Sequence, residues 1–122
     1  MTTHTKVLEV AHTGKVWCVE IVDKWLVSCG PGENAIRFWS LQNGEEVTKL
    51  KLSGECRNFE LNSKRTRMAV AHNSGVEIWD FASRKRLKEI KTNDSVNDVR
   101  FNESGTKLII GEYSGQVSKV DL

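Results

Sequence analysis

The sequence predicts an all-β protein built from three copies of one antiparallel unit. Two tryptophans forty positions apart, Trp39 and Trp79, each close an apolar run, and Val120 returns near the same period, one residue late. The 122 residues contain no stretch with sustained helical periodicity. The best helical candidate, 83–91, is too short and is flanked by strand-like apolar positions. We therefore expect essentially no helix.

A unit of about forty residues that closes on an apolar-Trp-Asp-apolar signature is typical of the blades of a β-propeller. Each blade is one small sheet that cannot bury its faces alone. The fold class predicted is therefore all-β, with three antiparallel four-stranded blades in a partial or oligomer-completed β-propeller. The chain is expected to form one domain, 1–122, with repeats at about 6–52, 53–90 and 91–122.

Each copy begins with an alternating strand, and Val16, Cys56 and Val96 share one register in these strands. Short apolar runs bounded by turn residues follow, as expected for strands buried on both faces. The strand that ends at each Trp position comes next, and a fourth run follows it in the first two copies. The predicted strands are 16–21, 25–29, 35–40 and 47–52, then 57–61, 67–71, 76–80 and 86–90, and finally 96–101, 107–111 and 116–121.

Closure of the ring is the open question. The third copy lacks an outer strand, while 6–11, ahead of the first copy, reads as an outer strand of a neighbouring or last blade. Propellers need about four to eight blades, and an open sheet edge is an aggregation hazard. Either the chain is a piece of a longer propeller, or two copies form a six-bladed homodimer in which 6–11 of one lies against 116–121 of the other.

These three registered copies resemble the WD-repeat family of β-propellers, over about residues 6–122. The family links a His, a Ser or Thr, an Asp and the Trp through buried hydrogen bonds. The first copy approaches this set, the second keeps the Trp and the Asp but has no Gly-His pair, and the third has Val120 in place of the Trp. The resemblance implies structural roles for His12, Ser28, Glu33 (in place of Asp), Trp39, Trp79 and Asp80.

Because the polar set is incomplete beyond the first copy, we expect the second and third blades to depend more on apolar packing. In this interpretation the second copy contributes Asn73 at the turn where the family has its Asp.

The resemblance also implies a function: a non-catalytic recognition module or scaffold that binds a protein or peptide partner on one propeller face. Trp17, Arg57 and Tyr113 are residue types enriched at binding hot spots, and Arg near Lys and His suits an acidic or phosphorylated segment. The competing interpretation is ordinary packing, with Trp17 under a loop and Arg57 paired to Glu55 or Glu60. Carried over by position, the partner-binding candidates are Lys15, Trp17, Arg57, His72, Asn97 and Tyr113.

Two alternatives stay open. The chain could chiefly be an assembly subunit that closes a ring, or a fragment of a larger WD-repeat protein. The compact hairpin 21–25 resembles repeats in substrate receptors of ubiquitin ligases, although the chain carries no adaptor-binding domain.

Composition limits the classes of binding partner that we expect. A net charge of +2 gives no strong field to attract nucleic acid or a membrane surface, and no apolar run approaches the length of a membrane span or signal peptide. We expect an intracellular, cytoplasmic or nuclear protein. The basic run 84–88 could be a nuclear signal or phosphate patch, or simply a solvated outer strand.

No enzyme, cofactor or metal is predicted. The segment 30–35 matches a dinucleotide fingerprint, but strand-like residues follow it where a helix is required. Ser28 and His12 could form a partial dyad, yet both occupy structural positions of the family. The histidines and the three cysteines lack metal-ligand spacing, and Cys18, Cys29 and Cys56 suit reduced, buried thiols.

Overall fold

The computed structural model describes residues 15–30 and 32–122, which form eleven strands in three antiparallel sheets. Each sheet follows the order of its strands along the chain. The first sheet contains β1 (Cys18–Val22), β2 (Trp25–Cys29), β3 (Ala35–Ser40) and β4 (Glu46–Lys51); the second contains β5 (Cys56–Leu61), β6 (Arg67–His72), β7 (Gly75–Asp80) and β8 (Lys85–Lys91); the third contains β9 (Val96–Phe101), β10 (Lys107–Glu112) and β11 (Val117–Asp121).

The predicted all-β fold of propeller blades is confirmed, and each strand end lies within two residues of its predicted position. In the described residues the third sheet has three strands, and β11 forms its outer edge. The predicted outer strand 6–11 lies outside the described residues.

The sheets stack face to face around two apolar clusters. Residues of the first and second sheets share one cluster, which contains Phe38, Met68 and Trp79. Residues of the second and third sheets share the other, which contains Ile78 and Leu108. The second sheet is therefore buried on both faces, which explains the near-continuous apolar sequence of its central strands.

The first strand of each sheet (β1, β5 and β9) is called its inner strand. The inner strands β5 and β9 contact each other at positions one repeat apart. The Asn58 side-chain amide donates to Asp98 Oδ1 at 2.6 Å, and Arg100 Nη1 donates to Glu60 Oε2 at 2.6 Å. Equivalent residues of successive sheets thus lie side by side along one surface. This arrangement lets distant parts of the sequence share one edge of the stacked sheets.

The segment that matches the dinucleotide fingerprint is described at 30 and 32–35, and its last residue, Ala35, is the first residue of β3. A strand therefore stands where the fingerprint needs a helix N-terminus to hold a pyrophosphate. A side chain on Gly30 would lie 1.9 Å from the carbonyl oxygen of Lys15. The glycine is needed because the chain leading into β1 passes over it.

Candidate functional site

The inner strands begin with a shared backbone irregularity. Arg57 is the extra residue of a β-bulge between β5 and β6, and Asn97 is the extra residue of the same bulge between β9 and β10. The N–H of Trp17, forty residues before Arg57, bonds the carbonyl of Cys29, which is the strand partner of Cys18. A bulge redirects its side chain, so Arg57 and Asn97 are displayed at the start of β5 and β9. Trp17 occupies the equivalent position directly before β1.

Two turns lie at that edge as well. The Tyr113 N–H donates to the Ser95 carbonyl at 2.8 Å, so the β10–β11 turn lies beside the start of β9. The Asn73 N–H donates to the Glu55 carbonyl at 3.1 Å, so the β6–β7 turn lies beside the start of β5. We call this edge the rim, and it carries Lys15, Trp17, Arg57, Asn97 and Tyr113.

Trp17 and Arg57 contact one another on the rim. The guanidinium carbon of Arg57 lies 4.9 Å from the Trp17 ring centroid, a cation–π distance, and Trp17 is 43% exposed. The competing interpretation paired Arg57 with Glu55 or Glu60, but among the described residues Arg57 forms neither ion pair, and Glu60 bonds Arg100. The Nε of Arg57 is buried and has no hydrogen-bond partner among the described residues. Because a buried atom is not reached from solvent, the donors that face an acceptor at the rim are those of the terminal Nη groups.

The other rim residues are open to solvent. Tyr113 is 76% exposed, and Lys15 and Asn97 are exposed too. The rim thus offers two aromatic rings, two cations and one amide. Aromatic rings and Arg are the residue types that contribute most to protein interfaces.

His72 does not lie on the rim, contrary to the sequence-based prediction. Its side chain is 1% exposed, because β6 extends one residue further than predicted and carries His72 into the interior. Its Nδ1 accepts the N–H of Ser74 at 3.0 Å, and its Nε2 lies 3.1 Å from Glu77 Oε2. His72 is therefore a structural residue of the second blade.

Glu77 is the centre of a buried network that sequence reasoning missed. Its carboxylate is fully buried and accepts from the backbone N–H and hydroxyl of Ser53, both at 2.8 Å. The Trp79 indole N–H donates to Oε1 at 3.1 Å, and Arg86 Nη1 lies 3.5 Å from the same oxygen. The second blade thus has a complete polar network of its own, which corrects the expectation that it depends mainly on apolar packing.

This network does not activate a nucleophile. Because Nδ1 of His72 accepts a backbone N–H, a neutral ring carries its proton on Nε2 and donates it to Glu77. The Ser53 hydroxyl donates to the same carboxylate. Burial raises the pKa of Glu77, but the hydrogen bonds from His72 and Ser53 outweigh it and lower the pKa to about 2. A carboxylate with so low a pKa is a poor base, so the arrangement is structural.

In the first blade, different residues make the polar contacts around the Trp. The Trp39 indole N–H donates to Ser28 Oγ at 2.9 Å, and Glu33 pairs with Arg37 at 2.8 Å. His12, the remaining residue predicted for this set, lies outside the described residues. Trp39 and Trp79 are 9% and 8% exposed, so both lie in the core, in keeping with the structural roles that the resemblance implies.

Asp80 holds the turn that follows β7. Its carboxylate accepts from the Ser83 hydroxyl at 2.6 Å and from Arg67 at 2.7 Å. The hydrogen bonds from Ser83 lower the pKa of Asp80.

Other kinds of site find little support in the part of the chain that is described. Within it, no group of three His, Cys, Asp or Glu residues could hold a metal ion. A hydrogen bond with Cys29, followed by burial, raises the pKa of the Cys18 thiol well above its usual range, so this thiol is not poised for nucleophilic attack. Residues 15–30 and 32–122 contain no helix with the length and apolar character of a membrane span.

The fold and the repeated inner strands define a β-propeller type of protein. The structure of hydrazine synthase from Kuenenia stuttgartiensis is similar to it, with a TM-score of 0.69 and 16% identity over 80% of this chain and 31% of that chain. At this identity the likeness shows the fold alone. No family model matches the chain.

In sequence the chain is similar to WD-repeat proteins. It is 23% identical to a BTB/POZ domain and WD-repeat protein of Acanthamoeba polyphaga mimivirus, over 94% of this chain and 24% of the relative. It is 23% identical to eukaryotic translation initiation factor 3 subunit I of Rattus norvegicus, over 90% and 38%. A third relative is activating molecule in BECN1-regulated autophagy protein 1A of Danio rerio, 23% identical over 82% and 8%. The chain therefore spans well under half the length of these relatives.

Proposed function

We propose that the chain is a non-catalytic recognition module that binds an acidic or phosphorylated peptide on the rim. The observation that carries the proposal is the Arg57 guanidinium, which lies over the exposed ring of Trp17 at a distance of 4.9 Å. Planar guanidinium donors match the oxygens of a carboxylate or phosphate, and the ring beneath holds them in place. The similarity to WD-repeat proteins supports a role in protein interaction.

The rim is tested with a fluorescein-labelled peptide of Asp, Ser and Gly that carries one phosphoserine. We expect Arg57→Ala to weaken binding by about tenfold or more, because it removes the donors, and Trp17→Ala to weaken it in the same direction. Lys64→Ala is the matched control, since Lys64 is an exposed cation in the β5–β6 turn, away from the rim. Fluorescence anisotropy measures the Kd, and circular dichroism checks that each variant is folded.

Two results would contradict the proposal that the rim binds the peptide. One is equal affinity for Arg57→Ala and Lys64→Ala. The other is an affinity that does not fall between about 0.05 and 0.5 M salt, since attraction between exposed charges is screened over this range.

We also propose that two copies complete one ring. β11 is the outer edge of a three-stranded sheet, and Val117 on it is 72% exposed. An edge of this kind pairs readily with another strand. In this proposal 6–11 of one chain supplies that strand to its partner, whereas in a longer chain a covalently linked segment would supply it.

Sedimentation of the full chain at micromolar concentration should give twice the chain mass. Deleting 1–11 should then turn the discrete dimer into larger aggregates, because it leaves the edge of β11 without a partner strand. A stable monomer with an ordered third sheet, or a dimer unaffected by the deletion, would show that closure does not occur in this way.

A further inference from the structure

The only tyrosine of the chain stands on the rim, in the turn between β10 and β11. The side chain of Tyr113 is 76% exposed, more than any other large apolar or aromatic side chain among the described residues. The neighbouring residues 114–117 are exposed as well, and in the described part of the chain the Tyr113 hydroxyl has no hydrogen-bond partner. The hydroxyl is therefore open to an enzyme that approaches from solvent.

Backbone bonds fix the place of this turn and leave its tip uncovered. The Glu112 N–H donates to the Gln116 carbonyl at 2.9 Å, and the Gly115 N–H donates to the Glu112 carbonyl at 3.0 Å. The Tyr113 N–H holds the turn against the start of β9 through its bond to Ser95. No atom lies within 4 Å of the position that a Cβ on Gly115 would take. The tyrosine ring thus projects from a fixed point on the rim.

The third sheet presents acidic side chains beside this ring. Asp98 directly follows Asn97 in the sequence, and Glu112 directly precedes Tyr113. Asp98 lies 3.6 Å from Arg100, whereas Glu112 forms no ion pair among the described residues. Like charges repel one another, so a phosphate on Tyr113 would be pushed away from its own sheet.

Cations lie across the rim, on the first and second sheets. Lys15 and Arg57 are displayed there, together with one acid, Glu55. The side chains of Asn58 and Asp98 bond at 2.6 Å, which places the starts of β5 and β9 side by side. The Tyr113 turn adjoins the start of β9, so a phosphate that leaves the third sheet meets the Arg57 guanidinium first.

We propose that Tyr113 is a phosphorylation site, and that its phosphate pairs with Arg57 and thereby closes the rim to acidic peptides. This regulation rests on the proposed function of the rim. A tyrosine kinase transfers the γ-phosphoryl group of ATP to the phenolic oxygen. A P–O bond forms on Tyr113, the bond from the γ-phosphorus to the bridging oxygen breaks, ADP leaves, and the phenolic proton passes to a base of the kinase.

The product has the chemistry that the rim recognises. A phosphotyrosine carries a charge of about −1.5 to −2 at neutral pH and three strong acceptor oxygens. The guanidinium of Arg57 offers planar donors that match these oxygens, as it would for the phosphate of a partner peptide. The phosphate on Tyr113 and the phosphate of the peptide therefore compete for the same cation.

The modification is tested on the full chain with magnesium, ATP and a tyrosine kinase domain of broad sequence specificity. Mass spectrometry should find one phosphoryl group on Tyr113, added within about tenfold of the rate for a free peptide with the sequence 108–118, because the turn is an exposed loop tip. Tyr113→Phe should take up none, since the chain has no other tyrosine. A folded chain that stays unmodified while the peptide reacts would show that the turn is not a kinase site.

Two measurements then follow the phosphate on the rim. In the chain labelled with ¹⁵N, phosphorylation should shift the indole N–H signal of Trp17, because Arg57 is drawn from the ring towards the phosphate, and in Arg57→Ala it should leave that signal unchanged. The Kd for the phosphoserine peptide should rise by about tenfold or more. Treatment of Tyr113→Phe with the kinase should leave the Kd of that variant as it was before treatment.

The outcomes separate this regulation from the proposed function. An indole signal of Trp17 that does not move on phosphorylation would place the phosphate away from Arg57 and overturn the proposal, whether or not the peptide binds. An equal Kd before and after phosphorylation would overturn the regulation and leave the rim as the peptide site. A chain that binds no peptide in either form would contradict the proposed function and the regulation together.

Discussion

Replacing Trp39 with alanine is expected to lower the free energy of unfolding by about 3–5 kcal/mol. The side chain is 9% exposed, so its removal leaves a large cavity, and the bond from its indole N–H to Ser28 is lost as well. Trp39→Phe keeps most of the packing and loses the bond, so a smaller loss of about 1–2 kcal/mol is expected. Urea denaturation of the purified variants measures both values.

Trp17→Ala is the matched control for this series. Trp17 is 43% exposed at the rim, so its removal should change the unfolding free energy by less than about 1 kcal/mol. If Trp39→Ala and the unaltered protein melted at the same temperature, Trp39 would not be the core residue that the repeat predicts.

The strands could be predicted because their signal is local. Alternation of apolar residues and the recurrence of Trp39 and Trp79 depend only on neighbouring positions and on the repeat, and the structure reproduces these strands closely. Contacts between sheets then follow from the same period. Asn58 and Asp98 are one repeat apart in sequence and bonded in the structure.

The bulges could not be predicted. The extra residue at Arg57 or Asn97 arises from the hydrogen-bond register between two strands, and no residue type marks it in the sequence. The sequence pattern correctly predicts that both residues lie at the start of their strands. The contact of Arg57 with Trp17, however, depends on how two sheets stack.

The buried network of the second blade did leave a signal. Glu77 lies between Val76 and Ile78 in a strand that is otherwise apolar, and a buried carboxylate requires several donors. This position could have indicated a buried acid with His72 as its nearest partner. The prediction was wrong because the resemblance places His72 among the exposed partner-binding candidates, whereas it is the buried last residue of β6. One consequence is that Trp79, which donates to Glu77, should matter for stability about as much as Trp39.

Glu77→Gln is expected to destabilise the protein by about 3 kcal/mol at neutral pH. The carboxylate accepts hydrogen bonds from Ser53 and His72 on one oxygen and from Trp79 on the other. An amide of the same shape keeps one acceptor oxygen but directs two N–H hydrogens at the donors that face the other position. Glu89→Gln is the matched control. It makes the same change of charge in the neighbouring outer strand, where Glu89 pairs with Arg86 on the surface, and should cost less than about 0.5 kcal/mol.

The same substitution should remove a pH dependence. The pKa of Glu77 is about 2 in the folded protein and rises to its ordinary value, near 4.5, on unfolding. A group whose pKa is lowered by folding stabilises the protein above the unfolded pKa, and this contribution, about 3 kcal/mol, is lost as pH falls from about 4.5 to 2. Urea denaturation at pH 6 and pH 3 should therefore show a loss that is about 2 kcal/mol larger in the unaltered protein than in Glu77→Gln. Parallel acid sensitivity in the two proteins would mean that the buried carboxylate does not determine the stability of the second blade.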